Sequence, residues 1–114
     1  MSSNVVFVEL EEFKRDVKKL RKKYPSLDDD LRLRKAVLEA MPAGPTNHTV
    51  RISDLGVSSK IYKTRLMCRS VKRGDAFRLI YCHDDAESKI TLIELYFKGD
   101  RPAEDRKRIS RHFR

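Results

Sequence analysis

Residues 60–98 constrain the chain more than any other stretch, because three successive segments there place apolar residues on mostly alternate positions. The segments are 60–70, 76–83 and 90–98. A period of two is the signature of a half-buried β-strand, whose successive side chains point to opposite faces. In the first segment Tyr62, Thr64, Leu66 and Cys68 share one face, and Lys63, Arg65, Met67 and Arg69 the other. In the second, Phe77, Leu79 and Tyr81 oppose Arg78, Ile80 and Cys82. In the third, Ile93, Leu95 and Phe97 oppose Glu94, Tyr96 and Lys98. If the apolar faces form one core, the other face carries Lys63, Arg65, Arg69, Arg78 and Lys98, with Tyr96 among them. Register and charge are then tied, since a slip of one residue would drive the arginines into the core.

The 114 residues suit a single domain spanning 1–114, with material for one modest core. The net charge of +9 is unevenly spread. Residues 1–49 hold 10 basic and 8 acidic side chains, whereas residues 50–114 hold 16 and 9. A basic excess on strands of one face points to a polyanionic partner, although a solvated basic surface would also serve solubility. Cys68 and Cys82 fall on opposite faces of adjacent strands, so a disulfide between them is not expected. Two free thiols suit a reducing, cytoplasmic setting. No C-x-x-C or H-x-x-x-H spacing marks a metal site, and no metal or other cofactor is expected. A signal peptide and a membrane span are not expected either, because the run Val5–Val8 is short and no apolar run approaches 18 residues.

Before the strands, residues 4–9 form a short β-branched run that reads as a strand at a sheet edge or beside the later ones. Residues 9–24 read as a helix, because Leu10, Phe13, Val17, Leu20 and Tyr24 make one apolar stripe. Acidic residues lie in its first turn and basic ones near its end, which complements the helix dipole. Pro25 ends it, Ser26 is the expected N-cap of a second helix, and Pro42 stops that helix after Met41. The two helices form an antiparallel hairpin. Residues 42–49 (PAGPTNHT) read as a loop, and residues 50–57 are ambiguous between strand and turn. Residues 72–75 and 84–88 connect the three main strands. Residues 103–113 read as a short basic helix whose only apolar anchors are Ile109 and Phe113, and which is expected to fray or be displaced. The expected fold is α+β, with the helical hairpin packed on one face of a small, mainly antiparallel twisted sheet and the basic helix at the C-terminus.

The stretches Tyr62-Lys63-Thr64-Arg65-Leu66, Lys72-Arg73-Gly74-Asp75-Ala76-Phe77-Arg78-Leu79-Ile80-Tyr81 and Leu92-Ile93-Glu94-Leu95-Tyr96-Phe97-Lys98-Gly99-Asp100 resemble the RelE/ParE-type toxins of type II toxin–antitoxin modules. Phe13-Lys14-Arg15-Asp16 and Lys22-Lys23-Tyr24-Pro25-Ser26-Leu27 of the helical hairpin are similar too. The resemblance spans about residues 5–110 and rests on the combination of these parts. It implies a ribosome-dependent endoribonuclease, an mRNA interferase that inhibits translation and is held inactive by a cognate antitoxin. Its partners would be that antitoxin, the ribosome and mRNA, with neither a membrane nor a small-molecule cofactor.

On that resemblance Lys63 and Arg65 match paired basic positions of the family, Arg78 the arginine after the glycine turn, and Lys98 a basic residue at the end of the last strand. These four are the expected catalytic groups, with Arg69, Tyr96 and Arg101 binding substrate around them. Attack by a ribose 2′-hydroxyl needs a base, positive charge around phosphorus and an acid for the leaving oxygen, which fits these residue types. A departure lies beyond the last strand, where several family members carry a tyrosine or histidine and residues 100–105 here have neither. His48 in a loop is expected to be solvated, and His83, on the Phe77 face at a strand end, and His112, in the C-terminal helix, are not expected to be catalytic. Two other readings fit the same residues: a non-catalytic inhibitor of the gyrase-poisoning kind, and a basic RNA- or DNA-binding module.

Overall fold

The computed structural model of the chain describes residues 5–71 and 77–114, so the expected connection at 72–75 and the strand start at Ala76 lie outside the described residues. Five strands, β1 (Val6–Glu9), β2 (Thr49–Ile52), β3 (Lys60–Leu66), β4 (Phe77–Asp84) and β5 (Lys89–Phe97), form one sheet in the order β1-β5-β4-β3-β2. All neighbours are antiparallel except β1 and β5. Helices α1 (Glu11–Arg21) and α2 (Leu27–Ala40) pack on one face. Phe13, Val17, Leu27, Leu31 and Leu38 of the helices, with Tyr24 between them, meet Leu66, Phe77, Leu79, Tyr81 and Leu92 of the sheet, with Cys68 just past the end of β3. Tyr24 sets its ring edge-on to Phe77 with centroids 5.0 Å apart. The expected α+β architecture, its hairpin and its mainly antiparallel sheet are thus the observed ones, with β1, β3 and the helices shorter at their ends than expected and β5 shifted by one residue.

Three features differ from the sequence expectation. First, residues 49–52 are a strand, β2, paired with β3 from Thr49↔Thr64 to Ile52↔Ile61. Second, the alternation of β5 is interrupted. Leu79 opposes Leu95 and Ile80 opposes Glu94, but Tyr81 opposes Leu92, so Ile93 is an extra, bulged residue. Leu92 and Leu95 therefore both face the helical hairpin, whereas Ile93, expected beside Leu95, joins the opposite face. Third, that opposite face is covered as well. Helix α3 (Arg106–Phe113) lays the fully buried Ile109 and the half-buried Phe113 against Ile52, Ile61, Ile80, Cys82, Ile93 and Tyr96. The two apolar anchors read from the sequence are joined by ionic ones. Arg108 donates to both Asp16 carboxylate oxygens at 2.8 and 3.3 Å, and Arg111 and His112 contact Glu12 at 2.5 and 2.6 Å.

The N-terminal end of α2 is tied to the tail of β3, which explains why β3 stops at Leu66 and not at Ser70. Ser26 N–H donates to Ser70 Oγ at 2.8 Å, and Ser70 N–H returns a bond to Ser26 Oγ at 2.9 Å. The Ser26 hydroxyl donates to Asp30 at 2.7 Å, so it serves this link instead of capping the helix N–H groups as expected. Among the described residues no helix is long and apolar enough to cross a membrane.

Phe77 is the test of the principal core. It is fully buried between Tyr24 and Phe97, and Phe77→Ala should cost about 3–5 kcal/mol in urea-induced unfolding. A loss below about 1 kcal/mol would show that Phe77 does not fill the space between hairpin and sheet.

Candidate nucleic-acid interface

The face that carries α3 is divided. Its middle is apolar and lies under the helix, while one end stays open and cationic. Cross-strand register sets the rows. Val50, Lys63, Ile80 and Glu94 form one row, and Arg65, Arg78 and Tyr96 form the next. His48 extends the second row, because Arg65 N–H donates to its carbonyl at 2.9 Å. Lys98 follows directly after β5. Lys63, Arg65, Arg78 and Lys98 together line a cavity of about 250 Å³, closed on one side by Thr46, Asn47, His48, Thr49 and Val50. The four expected catalytic residues therefore come from three strands to one concave site.

The wall formed by residues 46–50 is held in place from the sheet. Tyr81 donates its hydroxyl to the Pro42 carbonyl at 2.9 Å, His48 N–H donates to Pro45 O at 3.0 Å, and the Thr49 and Thr64 hydroxyls lie 2.8 Å apart. Gly44 takes φ +81°, and a Cβ there would collide with the Thr49 side chain. His48 is an exposed turn residue, as expected, and what the sequence did not show is its place beside Arg65 on the cavity wall. The signal for that placement was the Thr-Val-Arg-Ile run after it, since pairing that run with β3 carries His48 alongside Arg65.

The other expected site residues lie elsewhere. Arg69 is past the end of β3 and turns to the helical hairpin, where it reaches Asp30 at 3.2 Å and Asp29 at 3.6 Å. Tyr96 keeps the cationic face but is only 4% exposed, with the Arg101 guanidinium 5.1 Å above its ring. Burial, with Glu104 and Glu94 adding to it, pushes the Tyr96 hydroxyl up to about 12. A nucleobase cannot reach that ring unless Arg101 moves away. Arg101 itself is paired with Glu94. His83 Nδ1 lies 2.9 Å from Asp85 Oδ1 at the far end of β4, and His112 of α3 sits with Glu12 of α1.

Lys63 is ion-paired. Its Nζ donates to Glu104 Oε1 at 2.9 Å, and Arg106 Nε lies 3.2 Å from the other oxygen. Burial opposes ionisation of Glu104, but Lys63 and Arg106 outweigh it and hold the carboxyl below its usual range. Arg78 donates to its neighbouring Phe77 carbonyl at 3.0 Å. A cluster of this kind can bind the oxygens of a phosphodiester, arginine through paired N–H groups and lysine as a point charge.

No protein-family model matches the chain, and no characterised protein matches it in sequence. Among solved structures, the archaeal RelE–RelB complex from Pyrococcus horikoshii OT3 contains a chain that is similar over 87% of this one and 98% of its own length. The TM-score is 0.57 and the identity 17%. The likeness gives the class, a RelE-like fold.

Asp30 offers a pH test of the contact that draws Arg69 away from the cavity. Burial opposes its ionisation, but bonds from Ser26, Cys68 and Arg69 outweigh it and hold the carboxyl below its usual range. A lowered carboxylate contributes stability above its unfolded pKa and loses it as pH falls through the folded value. Asp30→Asn should therefore cost about 1–3 kcal/mol at pH 7, and the gap to wild type should narrow below about pH 4. Urea unfolding across pH 2–7 measures this, and a gap that stays constant would show that charge is not the cause.

Proposed function

We propose that the chain is the toxin of a type II toxin–antitoxin pair and cleaves mRNA on the ribosome. The observation that carries this reading is the convergence of Lys63, Arg65, Arg78 and Lys98 on one cavity at the open end of a RelE-like sheet. In this reading the scissile phosphate enters the cavity. Arg78 and Arg65 bind its oxygens, and Lys63 and Lys98 complete the positive surround. His48, the imidazole on the cavity wall, accepts the proton of the ribose 2′-hydroxyl. The 2′-oxygen bonds to phosphorus, the bond to the 5′-oxygen breaks, and a cavity ammonium protonates that leaving oxygen. The products are a 2′,3′-cyclic phosphate and a 5′-hydroxyl. Positive charge held around the phosphorus stabilises the transition state without needing to reorganise.

The antitoxin follows from the same reading. The similar structure is a RelE–RelB complex, and a chain of net charge +9 suits an acidic or amphipathic partner segment across the hairpin or the basic face. Such a partner should bury on the order of 1,500 Å² or more, and its affinity should fall as salt rises. Calorimetry at two ionic strengths measures the effect, and an affinity indifferent to salt would remove the electrostatic contribution.

A second reading, RNA binding without cleavage, is favoured by two observations: Tyr96 is shut under Arg101, and Lys63 is already paired with Glu104. Single-turnover cleavage of ribosome-bound mRNA separates the two. Arg78→Ala should lower the rate roughly 10²–10³-fold, the scale for losing one charge-stabilising group. His48→Ala should lower it roughly 10²–10⁴-fold, the scale for losing a proton acceptor. Both variants should still fold and bind ribosomes. Wild type that never cuts, or an Arg78→Ala variant that cuts as fast as wild type, would leave the binding reading in its place.

A further inference from the structure

The segment between β5 and α3 does more than connect them. Its path is set from beneath by Glu94, a fully buried carboxylate that accepts from Asp105 N–H at 2.8 Å and pairs with Arg101. Asp105 then caps α3 by accepting from Arg108 N–H at 3.0 Å. Glu104 is therefore held between a pinned backbone and a capped helix start. Its side chain is 4% exposed, and both of its oxygens are used, one by Lys63 and one by Arg106.

Glu104 does not line the cavity, whereas Lys63 does. The carboxylate holds the lysine without itself lining the cavity. A link between this segment and β3 could be made by apolar residues at lower cost, because burying an ion pair gains little stability over a well-packed hydrophobic contact. The pairing is better explained by what it does to Lys63. A lysine chain left to itself samples many rotamers, and a hydrogen bond to a fixed, buried oxygen restricts where its ammonium stands.

We infer that Glu104 is a positioning residue, which fixes the Lys63 ammonium at the edge of the cavity as a stationary positive charge. Lys63 then acts as a charge-stabilising group and not as the base. The catalytic part of this inference rests on the ribonuclease reading above. The placement of Lys63 does not, and it is tested separately.

The experiment combines two readouts on Glu104→Gln, Glu104→Asp and wild type. The first is the labelling rate of individual lysines by acetic anhydride, followed by peptide mass spectrometry, which needs no activity. In wild type Lys63 should label more slowly than the exposed Lys98, and Glu104→Gln should bring the Lys63 rate up towards that of Lys98 while leaving the other lysines unchanged. Equal rates for Lys63 and Lys98 in wild type, or a Lys63 rate that Glu104→Gln leaves unchanged, would overturn the placement. The wild-type comparison holds even if the variant fails to fold.

The second readout is single-turnover cleavage of ribosome-bound mRNA beside ribosome affinity. Glu104→Gln should lower the rate roughly 10–100-fold, as for a misplaced catalytic group, with affinity nearly unchanged. Glu104→Asp should recover part of the loss, and adding Lys63→Ala to Glu104→Gln should cost less than the sum of the two. A Glu104→Gln variant that cuts as fast as wild type or faster, or losses that add in full, would overturn the positioning role. Wild type that does not cut would instead overturn the ribonuclease reading, and the catalytic part of the inference with it, whatever the labelling shows.

Discussion

The pair formed by Asp16 and Arg108 joins the two faces of the sheet, and much of the structure depends on it. β1 ends at Glu9, opposite Leu92, so on that side the second half of β5 has no strand beside it among the described residues. Such an edge leaves backbone groups that need partners. Asp16 accepts from Leu95 N–H at 3.1 Å, and Arg108 donates to the Ile93 carbonyl at 2.8 Å. The same two side chains bond each other, so a residue of α1 on one face and a residue of α3 on the other close the edge between them. These contacts fall at the bulge, where Ile93 and Glu94 replace a single partner of β4. The bulge turns Ile93 towards α3, whose Ile109 packs in the same apolar cluster, and sets Glu94 where it can bind Asp105. Edge closure, the second core and the course of the segment that carries Glu104 thus share one origin.

The division of the second face follows from the length of α3. Eight residues with one fully buried side chain cannot cover the whole sheet. The part they cover is isoleucine-rich. The part left open holds Arg65 and Arg78 directly opposite each other, with Lys63 and Lys98 around them. Facing arginines repel, and their approach is costly unless counter-charge or an anion is near. Glu104 supplies counter-charge to Lys63. The cavity's walls are built from strands and a pinned loop, a rigid setting for the cations that line it.

The legible part of this fold was the part governed by simple periods. The stripe Phe13, Val17, Tyr24 and the alternation in β3 and β4 led to the right elements and to the right faces for Lys63, Arg65 and Arg78. What was not legible depended on contacts distant in sequence. Ile93 has the composition of a regular strand residue, and nothing local marks it as bulged. The strand β2 is four residues long, too short for the alternation of Val50 and Ile52 to separate strand from turn on its own. Its pairing with β3, and the consequent approach of His48 to Arg65, appears only when both strands are placed. Arg69 continues the alternation of β3 in sequence, but Ser26 and Asp30 draw the chain out of the sheet before it is reached.

Tyr96 shows that sharing a face does not by itself make a side chain accessible. Alternation put it among the cations, and it does lie beside Arg78 across the ladder. Whether a side chain on a face is available depends on what crosses above it, and here the segment after β5 folds back. That segment brings Arg101 over the ring and Glu104 to Lys63, two effects of the same turn at Phe97, whose carbonyl accepts from Asp100 and Arg101 N–H at 2.9 and 3.2 Å. The same segment, in which residues 100–105 hold neither tyrosine nor histidine, thus both covers the Tyr96 ring and supplies a carboxylate to Lys63.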